Sequence, residues 1–306
     1  MNQQTEDREQ QRERIASGQG FIAALDQSGG STRAALERYG IQRISQGEDA
    51  VMFIMAHHMR IRIVASPAFD HRILGAILFR DTMNREIQGK PSAQFLWQVK
   101  QVVPFLKVDQ GLAEEADGVQ LMRPMPDLKD LLKQARKHGM FGTKMRSVIK
   151  ASTEPNEAAI AAVVDQQFEV ARKILAAGLT PIIEPEVDIY SPYKKRAEKL
   201  LRKHLLKALD ALHSGPKAQQ VMLKLTLPQT PGFHAPLVKH PAVLRVLALS
   251  GGYPQENAII RLSQNPGVIA SFSRALTERL SIAQRDPEFD SVLDAAIEAI
   301  YQASNT

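Results

Sequence analysis

Four short apolar runs carry charged residues where a buried strand has none to spare. Lys224 interrupts Val221–Leu227 (VMLKLTL), Lys107 and Asp109 fall in VVPFLKVD, Lys144 and Arg146 in FGTKMR, and Glu184 and Glu186 in PIIEPEV. Within each run the charges share one parity, and alternate residues of a strand point to one face. A charge in an apolar interior is costly unless it is paired or neutralised, so four such runs call for a common reason. One site that all four strands face supplies it.

The chemistry these residues allow begins with the lysine. An amine attacks a carbonyl only when neutral, whereas a free lysine has a pKa of about 10.4. Desolvation and a second cation nearby both favour the neutral form. Lys224 has the first in its apolar strand, and Lys144, two strands earlier, is placed to supply the second. Such a lysine forms a Schiff base with a ketone or aldehyde, and the iminium accepts electrons from a breaking carbon–carbon bond. The alternative is a structural ion network in which Lys224 pairs with Glu184 or Glu186. Either glutamate also suits general acid–base work, donating the proton that expels water from a carbinolamine. Asp26 ends the first apolar run and precedes Gln-Ser-Gly-Gly-Ser. It is either a base at a strand end or an ordinary turn-capping residue.

A second group of residues points to phosphate. The seventh run ends Leu249-Ser250-Gly251-Gly252-Tyr253, and the eighth ends Ala270-Ser271-Phe272-Ser273-Arg274 where a helical pattern begins. Glycines let backbone N–H groups approach an anion, the hydroxyls of Ser250 and Ser271 donate, and Arg274 offers charge and a fork of donors. Barrels often hold phosphate between the loops after strands seven and eight and a following helix N-terminus. The histidines at 57, 58, 71, 138, 204, 213, 234 and 240 show no ligand spacing at strand ends. Neither a metal nor another cofactor is expected.

The elements that must position these groups are legible from periodicity. Eight apolar runs (Phe21–Asp26, Ile73–Phe79, Val103–Asp109, Phe141–Arg146, Pro181–Val187, Val221–Leu227, Arg245–Ser250, Val268–Phe272) alternate with segments of 3.6-residue periodicity. The clearest helical patterns are Glu157–Ala177 and Phe289–Ala303, and Gly139 and Gly178 follow helical runs as stop signals. The pattern predicts an α/β fold, a single (β/α)₈ TIM barrel spanning residues 1–306. An open doubly wound sheet is the rival, but no GxGxxG turn follows the first run. Residues 27–72 form a long first connection that must hold more than one helix. The polar residues 1–19 read as an N-terminal helical extension stopped by Gly18 and Gly20, not as a signal peptide.

Composition narrows the class. The chain lacks cysteine, which excludes disulfides, thiolate metal sites and a cysteine nucleophile. No run approaches the roughly 18 apolar residues of a membrane span. The net charge of +6 suits phosphorylated small molecules, and aromatics at 6% do not interleave with the basic residues as nucleic-acid binding would require. The densest basic stretch, Lys194–Lys207, carries a leucine stripe at 200, 201, 205 and 206, and reads as a solvated helix packed by one face. The expectation is a cytoplasmic protein with small-molecule partners and no nucleic-acid or membrane partner.

The segments GFIAALDQSGGST, VPFLKVDQGLAEE, FGTKMRS, PIIEPEV, VMLKLTLP, LSGGY and SFSRAL resemble, in order, those of class I fructose-1,6-bisphosphate aldolases. The resemblance runs from about residue 18 to residue 280 and implies a (β/α)₈ barrel acting without metal through a Schiff-base lysine. It makes Lys224 that lysine, Glu184 the acid and base of carbinolamine chemistry, Asp26 the acceptor of the C4 hydroxyl proton, and Lys144 the tuning cation. Arg146 and Glu186 match neighbouring active-site positions. Ser250, Gly251 and Arg274 match the C1-phosphate site, and Ser28, Ser31 and Lys107 match groups at the other phosphate. The implied reaction is reversible cleavage of fructose 1,6-bisphosphate to dihydroxyacetone phosphate and glyceraldehyde 3-phosphate, in glycolysis and gluconeogenesis. Family barrels commonly self-associate, so a homo-oligomer is compatible with the resemblance. An aldolase for another phosphorylated ketose such as tagatose 1,6-bisphosphate, and a non-catalytic sugar-phosphate-binding barrel, stay open. Two departures stand out. Longer members use the tyrosine of a flexible tail, a role not carried over to Tyr301 on the last helix, and Ala35 stands where those members have an arginine.

Overall fold

Each apolar run becomes a strand because its alternate residues find two different surroundings. The computed structural model describes residues 3–28, 30–41, 49–215 and 219–306. Residues 1–2 of the expected extension, Gly29 of the first turn and residues 42–48 of the long connection lie outside that set. The strands are β1 Phe21–Leu25, β2 Ile73–Leu78, β3 Val103–Lys107, β4 Gly142–Ile149, β5 Thr180–Val187, β6 Val221–Thr226, β7 Val243–Leu249 and β8 Val268–Ala270. They pair in chain order, each parallel to the next. The ring is nearly closed where the Ala24 amide donates to the Phe272 carbonyl at 3.2 Å. This is the expected TIM barrel and not the open sheet.

The long helices before, between and after the strands are α1 Gln3–Ser17, α2 Gly30–Arg38, α3 Asp49–Ala65, α4 Leu128–Lys137, α5 Glu157–Ala176, α6 Lys194–His213, α7 Gln255–Ser263 and α8 Asp286–Ser304. Both α2 and α3 lie in the long first connection, as its length requires. Local chemistry marks the ends. The Asn156 side chain accepts from the amides of Ala158 and Ala159 to start α5. Gly139 and Gly178 take positive φ (79° and 76°) just after α4 and α5.

Two apolar layers result from the strand alternation. Val221, Leu223, Leu225, Ile183 and Val187 pack outward against the helices. Ile22, Phe105, Ile182, Met222, Leu247 and Ile269 meet inside the ring with Phe141. On β3, β5 and β6 the inward residue one step further along is the charged one: Lys107 after Phe105, Glu184 after Ile182, Lys224 after Met222. A dry floor therefore lies directly below the charges.

The N-terminal helix closes the opposite mouth. Ile15 joins the inner apolar cluster. Arg8 donates to the carbonyls of Met140 and Phe141, Arg14 to those of His71 and Ile73, and Arg245 to those of Ala16 and Gly18. At the other terminus, Tyr301 packs against the outer core, and the Asn305 side chain accepts from the Gly20 amide.

Three local features were not legible beforehand. Strand β4 runs three residues past Arg146 because Val119–Gln120 adds an antiparallel partner to its end. Glu86–Ile87 and Lys90–Pro91 form a small hairpin. The basic helix α6 is not solvated throughout: Lys194 and Glu198 are buried and paired with each other.

Gly142 shows how tight the floor is. A Cβ there would lie 2.2 Å from the Thr180 carbonyl and 2.8 Å from the Phe105 ring, which is opposite it in register. Gly142→Ala is expected to lower stability by about 2 kcal/mol, the scale of overpacking, read as a reduced urea midpoint with an unchanged m-value.

Candidate active site

The C-terminal ends of the strands open into a cleft of about 1130 Å³. All of the residues singled out from the sequence line it: Asp26, Ser28, Ser31, Lys107, Lys144, Arg146, Glu184, Glu186, Lys224, Ser250, Gly251, Gly252, Ser271 and Arg274. Three neighbouring strands bring the central charges together, β4 with Lys144, β5 with Glu184 and β6 with Lys224. Asp26 follows the last residue of β1 and reaches the same point across the ring.

Glu184 stands between the two lysines. Its Oε1 lies 3.1 Å from Lys224 Nζ and its Oε2 lies 2.8 Å from Lys144 Nζ. Lys144 Nζ is also 2.8 Å from Asp26 Oδ2. All four side chains are less than a tenth exposed. The second cation beside Lys224 is thus present, but it is shared by two carboxylates.

Burial by itself would push Lys144 towards its neutral form, yet the facing Asp26 and Glu184 carboxylates outweigh it and hold the ammonium above the usual lysine range. Burial would likewise raise Asp26, but Lys144 and then Lys224 keep its carboxyl well below the ordinary carboxylate range. Both groups therefore stay charged across neutral pH.

A second tier surrounds this centre. Lys107 Nζ is held at 2.5 Å by Asp109 Oδ1, and Arg146 donates to Glu186 at 2.8 Å. Opposite these, Gly251 and Gly252 have positive φ of 60° and 116°, and a Cβ on Gly251 would lie 2.7 Å from an Ile189 methyl. Only glycine gives that turn. Arg274 donates to the Gly252 carbonyl. Ser271 is 1% exposed, and its hydroxyl has no partner among the described residues, although it lines the cleft. A buried donor of this kind is satisfied by an incoming acceptor such as a phosphate oxygen.

Sequence reasoning missed several contributors. Arg60 of α3 is 1% exposed, and it donates to the Gln27 carbonyl at 2.7 Å and to Thr82 at 3.0 Å. It thereby pins the turn after Asp26, and burial pulls its guanidinium down to about 10. Gln27 in turn donates to Ser273 at 2.6 Å, tying the first loop to the last. Nothing local marks Arg60, which sits in a helix with a second arginine, Arg62. Ser31, Ala34 and Arg38 of α2 line the cleft, whereas Ala35 is buried in the outer core. That spacing could have revealed Arg38 as one helical face with Ser31.

Comparison with known proteins bears directly on this arrangement. The model of the class I fructose-bisphosphate aldolase family matches residues 7–229. The chain is also 58% identical over 302 residues to a class 1 fructose-bisphosphate aldolase of Synechocystis sp., covering 98% of this chain and 99% of that one. The chain belongs to the class I fructose-bisphosphate aldolase family. A class 1 aldolase of Clostridium acetobutylicum is 54% identical, with 97% of this chain and 99% of that one covered. Among solved structures, a Plasmodium falciparum fructose-bisphosphate aldolase shares the aldolase barrel with a TM-score of 0.76 at 19% identity, over 99% of this chain and 95% of that chain.

Lys144 tests the charge balance of this aldolase barrel. Lys144→Met would leave Asp26 and Glu184 facing each other without their shared cation, a change of about 3–5 kcal/mol for a broken buried pair. In the wild type the depressed Asp26 contributes stability above the unfolded carboxylate pKa of about 3.9 and loses it only as pH falls further. In the variant, one crowded carboxyl takes a proton more readily than in the unfolded chain, so its stability rises on acidification. Thermal melts are expected to show a Lys144→Met melting temperature that climbs relative to wild type between pH 8 and pH 5.5. A constant gap would show that the two carboxylates do not interact.

Proposed function

We propose that this chain catalyses the reversible cleavage of fructose 1,6-bisphosphate into dihydroxyacetone phosphate and glyceraldehyde 3-phosphate through an imine on Lys224. The observation that carries the reading is the single Glu184 carboxylate in contact with both lysines, 3.1 Å from Lys224 and 2.8 Å from Lys144. Asp26, Glu184 and Lys144 together carry one negative charge, so a cationic Lys224 makes the cluster neutral. Passing a proton from Lys224 Nζ to Glu184 Oε1 preserves that neutrality. It creates, in one step, a neutral nucleophile and a carboxylic acid beside it.

The remaining steps follow from position. Lys224 adds to the C2 carbonyl, and Glu184 returns its proton to the carbinolamine oxygen, which leaves as water. Asp26 accepts the C4 hydroxyl proton while the C3–C4 bond breaks and its electrons enter the iminium. The enamine so formed takes a proton at C3, which balances the one Asp26 accepted and gives up as it returns to carboxylate. Water then hydrolyses the iminium to release dihydroxyacetone phosphate from Lys224. Lys144 stays protonated and holds Asp26 and Glu184 at their distances. Ser250, Gly251, Gly252, Ser271 and Arg274 bind one phosphate; Ser28, Ser31 and Lys107 serve the other end, with Arg146 and Glu186 between. This chemistry needs no metal, because the protonated imine is the electron sink.

We further propose that residues 1–306 act as one barrel domain, with residues 1–19 as its N-terminal extension. The enzyme would serve glycolysis and gluconeogenesis in the cytoplasm, where its water-soluble phosphorylated substrates are partners enough without nucleic acid or membrane. A homo-oligomer is compatible with this reading.

Borohydride reduction with dihydroxyacetone phosphate, in EDTA, is expected to place one adduct on Lys224, located by peptide mapping. Lys224→Met should form none and lose at least about a thousandfold in kcat on fructose 1,6-bisphosphate. Wild-type turnover in that variant would refute the imine. Faster cleavage of tagatose 1,6-bisphosphate would reassign the substrate and keep the mechanism.

A further inference from the structure

Pairing between β5 and β6 stops just below the reacting groups. The register runs Ile182 to Met222 and Ile183 to Leu223, and goes no further. The next pair would be Glu184 and Lys224 themselves. The cause lies in one residue. On β5 the even-numbered amides face β4, since Thr180 donates to Phe141 and Asp188 to Ile149. The odd-numbered ones face β6, as the Val187 amide shows. Pro185 is odd-numbered and has no N–H, so a donor is missing on the β6 side immediately after Glu184.

Beyond the gap a side chain replaces the ladder. Thr226 Oγ1 accepts from the Val187 amide at 2.9 Å and donates to the Val187 carbonyl at 2.8 Å. Both groups are buried. Continued in register, Val187 would face Leu227; the hydroxyl joins it to Thr226 instead. The Thr226–Leu227 backbone is itself anchored from behind. His234 Nε2–H donates to the Thr226 carbonyl at 3.2 Å, and Lys194 Nζ donates to the Leu227 carbonyl at 2.8 Å. Burial pushes His234 down to about 4, which leaves it neutral.

We propose that Thr226 is the positioning residue that sets the Lys224–Glu184 separation, its hydroxyl clamping β5 to β6 across the gap opened by Pro185. This rests on the imine reading above. Thr226 does not line the cleft, so it acts through the strands and not on the substrate. A loose clamp lets the two strands part at the position where Lys224 and Glu184 exchange a proton over 3.1 Å. Misplacement of reacting groups by about 1 Å can cost on the order of 100-fold in rate. Thr226 also pairs with Leu249, and its methyl lies toward Gly251 of the phosphate loop; a substitution that removes only the hydroxyl keeps both, so binding should be spared.

Thr226→Val removes the hydroxyl at nearly constant volume, and Thr226→Ser keeps it. The valine variant is expected to lose about tenfold or more in kcat, with KM within about twofold, and the serine variant to stay within about threefold of wild type. The borohydride-trapping rate at Lys224 should fall with kcat. Wild-type kcat in Thr226→Val, or a serine variant no better than the valine one, would overturn the clamp. If the valine variant does not fold, hydrogen exchange at the Val187 amide of the wild-type protein decides: protection supports the clamp, and exchange at the rate of an open loop overturns it. Absence of any Lys224 adduct in the wild type would refute the imine itself. Equal trapping rates in wild type and Thr226→Val would refute only the clamp.

Discussion

Charges gathered inside a barrel must neutralise one another, because little water reaches them to share the task. Here the requirement falls on Glu184, whose two oxygens serve two lysines from neighbouring strands. Asp26 then balances the remaining half of Lys144 from across the ring. Removing any one of the four would leave the buried set with a net charge. The same closeness gives the groups their reactivity, since a proton that moves between them leaves the sum of charges unchanged.

The rest of the architecture keeps this cluster dry below and open above. The inner layer of Phe105, Ile182, Met222 and Leu247 fills the ring beneath the charges, and α1 with Ile15 closes the mouth under that layer. Gly142 makes room for the Phe105 ring in the floor. Above, the loop after β8 brings a donor with no partner among the described residues, the Ser271 hydroxyl. The first and last loops are linked through Gln27, Ser273 and the buried Arg60, so the site is braced across the one junction that the strand ladder leaves nearly open.

Departures from regular structure collect beside the chemistry. Pro185 breaks a ladder next to Glu184, Gly251 and Gly252 adopt turns closed to other residues, and Thr226 substitutes a hydroxyl for a backbone pair. Each sacrifices some local regularity for the placement of a functional group, the pattern expected where local rules and function compete.

The alternation of apolar and charged residues along the chain determined the strands, their inward faces and the charged groups that gather in the cleft, because side-chain parity in a strand is a purely local property. The family motifs sharpened those residues into a site. What local sequence did not contain was who touches whom. That Glu184 would stand between the lysines depends on the staggered register of three strands distant in sequence. Arg60 emerges only from the packing of α3 under the first loop. The basic helix packs by its leucine face as read, but Lys194 and Glu198 look like surface residues until α6 lies against the end of β6. Residue type and spacing decide which groups face the interior, while distances between them belong to the closed ring, since only closure brings strands far apart in the chain within hydrogen-bonding reach.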